Sequence, residues 1–120
     1  MPILDVELVS NEPPLASLAR CIADAAAEIF RSEPSTTWVR IRTLPPSQYA
    51  ENETDQPNGW NSVFISILKH RRPEGEALET EVRALTISIA ALCKRPAENI
   101  HIKYEPDAAG RIAFGGTLHK

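Results

Sequence analysis

The stretch MPILDVELV, residues 1–9, decides how the rest of the chain is read. Leu4, Val6 and Leu8 fall on one side and Asp5 and Glu7 on the other, the period of two that marks a half-buried strand. The strand therefore begins almost at the first residue, with Pro2 at its head. Proline is tolerated as the first residue of a strand, where no ladder donor is needed. That permits Pro2 without explaining why a proline stands there.

Working outward, Ser10 or Asn11 can cap a helix whose first turn would hold Pro13 and Pro14. Leu15, Leu18, Ala19, Ile22, Ala26, Ile29 and Phe30 recur at helical spacing and predict one apolar stripe, ended by Pro34. TTWVRIRTL (36–44) reads as a second strand, with Val39 and Ile41 on one face and Trp38, Arg40 and Arg42 on the other. The turn-rich segment PPSQYAENETDQPNGWN (45–61) is long enough to suggest function. SVFISILK (62–69) is apolar on both faces, hence a central strand. After HRRPEG (70–75), Leu78, Val82, Leu85, Ile89 and Leu92 predict a second helix. Pro96 precedes a fourth strand, NIHIKYE (99–105), and GRIAFGGTL (110–118) can add a short strand or hairpin.

The order is strand, helix, strand, and then the same again, with a proline after each helix. This predicts an α+β fold: a single domain over residues 1–120 built from two copies of one βαβ unit, about 1–45 and 62–106. Right-handed crossovers put both helices on one face of a four-stranded mixed sheet. Asp5, Glu7, Arg40, Arg42, His101, Lys103 and Glu105 would share the other face. With Phe64 and Leu68, or Val63, Ile65 and Ile67, left uncovered in mid-sheet, that face suits an assembly surface and a closed oligomer.

A chain of 120 residues that is 42% hydrophobic has enough core to fold without staples. A net charge of −3 gives no broad attraction for nucleic acid or an anionic membrane. No apolar run approaches a membrane span, and Asp5 and Glu7 break any signal-peptide core, which points to the cytoplasm. Cys21 and Cys93 fall in helical patterns with apolar neighbours and read as reduced core thiols; no zinc set is present.

Cells remove an initiator methionine when the second residue is small, and proline qualifies. Pro2 would then be a secondary amine fixed at the head of a strand. An α-amino group titrates near roughly 7.7–8.0, and burial or nearby cations lower that value. A base poised around neutrality suits proton abstraction beside a carbonyl. Lys69, His70, Arg71 and Arg72 lie where the third strand leaves the sheet, and guanidinium forks bind carboxylates in bidentate fashion. His119 reads as a disordered end, and Trp38 and Trp60 as packing residues.

MPILDVELV, the doubled unit, the arginines after the third strand and the ending YEPDAAGRIAFGG together resemble the tautomerase superfamily. Its members include 4-oxalocrotonate tautomerase (4-OT), macrophage migration inhibitory factor and malonate semialdehyde decarboxylase. The resemblance covers nearly the whole chain. It implies a homotrimer of double βαβ subunits with Pro2 as catalytic base. In the decarboxylase and the related chloroacrylate dehalogenases, arginines after the third strand bind the substrate carboxylate. Arg71 stands in the matching place and Arg72 nearby is a second candidate. In the inhibitory factor the polar side of the last main strand serves a neighbour's site, the side that His101 and Lys103 occupy here.

Two departures separate the chain from its hydrolytic and decarboxylating relatives. Thr36 and Thr37 stand where the decarboxylase has an aspartate, and the dehalogenases' C-terminal glutamate has no counterpart. The expectation is therefore a keto–enol tautomerase or isomerase of a small 2-oxo or unsaturated carboxylate, needing no metal or cofactor. Pro2 is its base. Arg71, with Arg72 or Arg40, is the carboxylate anchor, and Tyr49, Glu51, Asn52 and His101 are candidate donors. The alternatives are a decarboxylase or dehalogenase-type lyase of the same superfamily, and a non-catalytic ferredoxin-like binding module.

Overall fold

The computed structural model describes residues 1–56 and 59–120; Pro57 and Asn58, within the long connection, lie outside the described residues. The doubled unit is there. Strand β1 (Pro2–Val9), helix α1 (Leu18–Phe30) and β2 (Trp38–Leu44) form the first copy, and β3 (Val63–Lys69), α2 (Gly75–Cys93) and β4 (Ile100–Tyr104) the second. The sheet runs β2-β1-β3-β4. Within each copy the strands are parallel, as a helical crossover requires, and β1 meets β3 antiparallel.

Strand parity fixes what each face buries. Leu4, Val6, Val63, Ile65 and Ile67 are sealed beneath the helices, where Leu18, Ile22 and Ala26 of α1 and Leu85, Ile89 and Ala90 of α2 meet them. Of the two possibilities for β3, then, Val63, Ile65 and Ile67 face the helices, and Phe64, Ser66 and Leu68 share the open face with Ile3, Asp5 and Glu7. Arg40 crosses that face to grip Asp5 through Nε (2.6 Å) and Nη2 (2.9 Å).

The two helices end alike. Arg31 and Lys94 each take a left-handed conformation at φ 56°, and the next residue's N–H reaches back to the helix, Ser32 to Ala27 and Arg95 to Ala90. Neither terminus uses glycine, so each carries a steric cost of about 1–2 kcal/mol. The same turn in both copies accounts for the proline that follows each helix.

Three local expectations are corrected. Helix α1 begins at Leu18 with Ser17 as its N-cap, not at Ser10 or Asn11. Pro14 disfavours helical geometry at Pro13, and Ser10 Oγ accepts the N–H of Glu12 in a tight local turn (3.0 Å). Leu15 consequently leaves the stripe and is exposed. Cys21 is exposed, one position away from buried Ile22, while Cys93 is half-buried and its thiol is pushed up by burial. His119 is not a loose end. Its N–H donates to Ile112 O (2.8 Å) and its carbonyl accepts from Gly110 (2.7 Å), closing a hairpin of β5 (Ala113–Phe114) and β6 (Thr117–Leu118). Gly115 (φ 57°) and Gly116 (φ 92°) supply the two positive φ angles that a two-residue hairpin loop requires.

Candidate active site

Pro2 is buried at the head of β1, and antiparallel register sets it opposite Lys69, the last residue of β3. Both have the parity that faces the helices. Met1 precedes Pro2 here, and partial burial alone holds its α-amino group below the ordinary value. Lys69 turns inward: its ammonium lies 2.8 Å from Glu81 Oε1 of α2 and 4.5 Å from the centre of the Phe30 ring. Tyr104, the last residue of β4, donates its hydroxyl to the other oxygen of Glu81 at 2.5 Å. Burial, reinforced by that carboxylate, pushes the Tyr104 phenol far above its usual range, and Arg72 opposes the shift.

The loop beyond β3 and the chain beyond β4 close this end together. Asp107 Oδ1 accepts the Arg72 N–H (3.0 Å), and Lys69 O accepts the N–H of Ala108 (2.8 Å). Arg72, Tyr104 and Arg111 line a cleft of about 430 Å³ with Glu74, Glu105 and Asp107. Arg71 is exposed in the adjoining turn. On the side away from the helices, His70 Nδ1 lies 2.8 Å from His119 Nε2, His119 packs on Phe114, and Phe114 meets Trp38 edge-on at 5.4 Å. Trp38 stands in register with Ile3, so the C-terminal hairpin walls the Pro2 end on that side.

The remaining candidate residues lie elsewhere in the chain. Arg40 is beside Asp5, on the opposite parity from Pro2. Tyr49 donates to Glu51 Oε2 (2.7 Å) and packs on Trp60 and Phe64; the Phe64 ring in turn lies 5.2 Å from that of His101. Burial, and then the neighbouring Glu51, push the Tyr49 phenol up against the lowering hydrogen bond from Ser62. Asn52 is exposed on the same connection. Trp60, Glu51 and His101 share a cleft of about 420 Å³. Phe64 pairs with Glu7, five residues along β1 from Pro2, which at strand rise is about 17 Å away. The chain thus gathers Pro2, Lys69, Glu81, Tyr104 and Arg72 at one end of the sheet and Tyr49, Asn52 and His101 at the other.

Glu81 and Tyr104 were not among the residues singled out for chemistry, yet a sequence signal existed for both partners of the ion pair. Lys69 continues the buried parity of Val63, Ile65 and Ile67, and Glu81 lies between Leu78 and Leu85 on the apolar stripe of α2. A charge in each of two buried patterns implies that they meet.

No protein-family model matches the chain, and no curated protein matches it in sequence. Solved structures do match. A fused 4-OT, solved as a symmetric trimer, superposes with a TM-score of 0.75 at 11% identity, over 98% of this chain and 94% of its own. A macrophage migration inhibitory factor homologue from Prochlorococcus marinus gives 0.74 at 15%, over 98% and 99%. The FG41 malonate semialdehyde decarboxylase inhibited by 3-bromopropiolate gives 0.70 at 18%, over 94% and 88%. This is the tautomerase-superfamily fold. The chain spans that fold nearly end to end, and Pro2 heads the first strand of the tautomerase sheet.

Proposed function

We propose that this chain is a member of the tautomerase superfamily and acts as a homotrimeric keto–enol tautomerase or isomerase on a small 2-oxo or unsaturated carboxylate. The observation that carries the reading is the buried proline at the head of β1, in register with the lysine that ends β3 just before the two-arginine turn, within this fold. Met1 is removed in the cell, and Pro2 becomes a secondary amine. Burial and neighbouring cations disfavour its protonated form, so it is a base near neutrality. It takes the proton from the carbon beside the carbonyl and returns it at the conjugated carbon.

Arg71 and Arg72 hold the substrate carboxylate from the turn after β3, and Arg40, already paired with Asp5, plays a lesser part. Tyr49, Asn52 and His101 lie too far from their own Pro2 to serve it. In a trimer they are available to a neighbour, where they donate hydrogen bonds to the dienolate as charge develops. The absence of an aspartate at Thr36 or Thr37 favours tautomerisation over decarboxylation.

Intact mass of protein from cells establishes whether the chain begins at Pro2. Ketonisation of enol-pyruvate-type acids, followed by ultraviolet absorbance, then tests the chemistry. Pro2→Ala should lower kcat/KM by about 100-fold or more, whereas Arg71→Ala should mainly raise KM, by about tenfold. A retained Met1, or unchanged kinetics in Pro2→Ala, overturns the proposal.

A further inference from the structure

Lys69, Glu81 and Tyr104 come from β3, α2 and β4 and meet beneath the sheet's covered face, with Lys69 in register with Pro2. Lysine carries a long flexible stem and ordinarily keeps its ammonium in water. Here the Lys69 side chain is only 18% exposed and that of Glu81 12%. Desolvating both partners of an ion pair is costly, and an apolar pair of similar volume is often no less stable. Val63, Ile65 and Ile67 show that the same parity of β3 accepts apolar residues throughout. A charge kept where packing does not need it is a mark of function.

We infer that Lys69 is the cation that sets the protonation of the Pro2 nitrogen, and that Glu81 is its positioning residue. The inference deepens the proposed function and rests on Pro2 being the base. Directly opposed residues of an antiparallel pair hold their β-carbons about 5 Å apart, so Lys69 is the nearest side chain across the strands from Pro2. Glu81 fixes where its charge sits: one carboxylate oxygen takes the ammonium, the other is tied by the Tyr104 hydroxyl, and the Phe30 ring lies against the ammonium. The other charged or titratable groups around this end, among the described residues, are His70, Arg71, Arg72 and Glu74 after β3, and Glu105, Asp107, Arg111 and His119 of the C-terminal segment. Arg72 and Asp107 are linked through the Arg72 N–H, and His70 and His119 face each other. Glu81 also offsets part of the Lys69 charge. The amine therefore responds to the pair as a unit, and neutralising either member moves it in opposite directions.

Titration of the ¹⁵N-labelled Pro2 nitrogen by NMR tests this without any substrate. In Glu81→Gln, which keeps the shape and can keep both hydrogen bonds, the Pro2 pKa should fall by about one unit. In Lys69→Met it should rise by about one unit. Tyr104→Phe removes a hydrogen bond but no charge, and should leave the titration within a few tenths of a unit while lowering the melting temperature. The acid limb of kcat/KM should follow each shift. A merely structural role would change melting temperatures and leave the Pro2 titration in place. Should Lys69→Met fail to fold, Glu81→Gln decides alone. A free Pro2 amine that titrates unchanged in the folded Glu81→Gln protein overturns this inference and leaves the proposed function standing. A Pro2 nitrogen still acylated by Met1 overturns both.

Discussion

Tyr104 has its hydroxyl against Glu81 and its ring half-buried under α2, and both burial and the carboxylate disfavour the phenolate. Its folded pKa is raised, so the unfolded chain releases that proton first. Stability from this group is then fully present below about pH 10, the ordinary phenol value, and is lost as pH rises towards the folded value. Tyr104→Phe should be the less stable protein at neutral pH. Between pH 10 and 11 its loss of stability should be shallower than wild type by up to about 1.4 kcal/mol per pH unit. Tyr49, also pushed up by burial, remains in both proteins and cancels in the difference. Urea titrations at stepped pH measure this, and parallel slopes would refute it. At this scale the sequence was only partly legible. Parity put Tyr104 among the helix-facing residues, and could have put Lys69 and Glu81 there, but the meeting of three side chains from three elements depends on strand register and helix rotation.

The elements themselves were easier to read where one period ran uninterrupted. Leu78, Val82, Leu85, Ile89 and Leu92 marked α2, and the alternation in β1 held from Leu4 to Leu8. Errors fell where backbone chemistry competed with pattern. Pro13 and Pro14 looked like a helical first turn, but the Ser10 turn and the pre-proline restriction kept residues 10–17 out of the helix. The C-terminal segment, short and rich in glycine, gave no periodic signal beyond a possible hairpin, and its anchoring is tertiary: Phe114 on Trp38, and His119 on His70. Phe114→Ala should remove an aromatic pair worth about 0.5–1.5 kcal/mol. The effect should be local. Hydrogen exchange at Gly110 and His119, whose amides are bonded within the hairpin, should accelerate, while amides of α2 beside Leu85 and Ile89 keep their protection. Equal acceleration in α2 would show that the hairpin is part of the global unfolding unit instead.

At the scale of the whole molecule, α1 and α2 both cover one side of the sheet, and among the described residues neither lies on the other. The open face carries Phe64 at 37% exposure and Trp38 at 49%, with Leu68 part-covered, among charges of which two pairs are already matched, Arg40 with Asp5 and Lys103 with Glu105, beside Glu7 and Arg42. Each prepaired ion keeps a partner when water leaves, which lowers the cost of desolvating that part of the surface. The face therefore suits burial against copies of itself, and under the proposed function the placing of Tyr49, Asn52 and His101 far from their own Pro2 asks for the same assembly. Light scattering on the eluting protein should give three times the 13.3 kDa chain mass. Ser66 stands mid-face, between Asp5 and Lys103 in register. Ser66→Arg places a long cation beside Lys103 there, and should release folded protomers with unchanged helical circular dichroism. If the donors at the far end serve a neighbouring Pro2, the same variant should also lose turnover, and diluting the wild-type protein until it dissociates should do likewise. A wild-type mass of one chain, or a dissociated Ser66→Arg protein that retains full activity, would place the complete site within a single protomer and refute the shared arrangement.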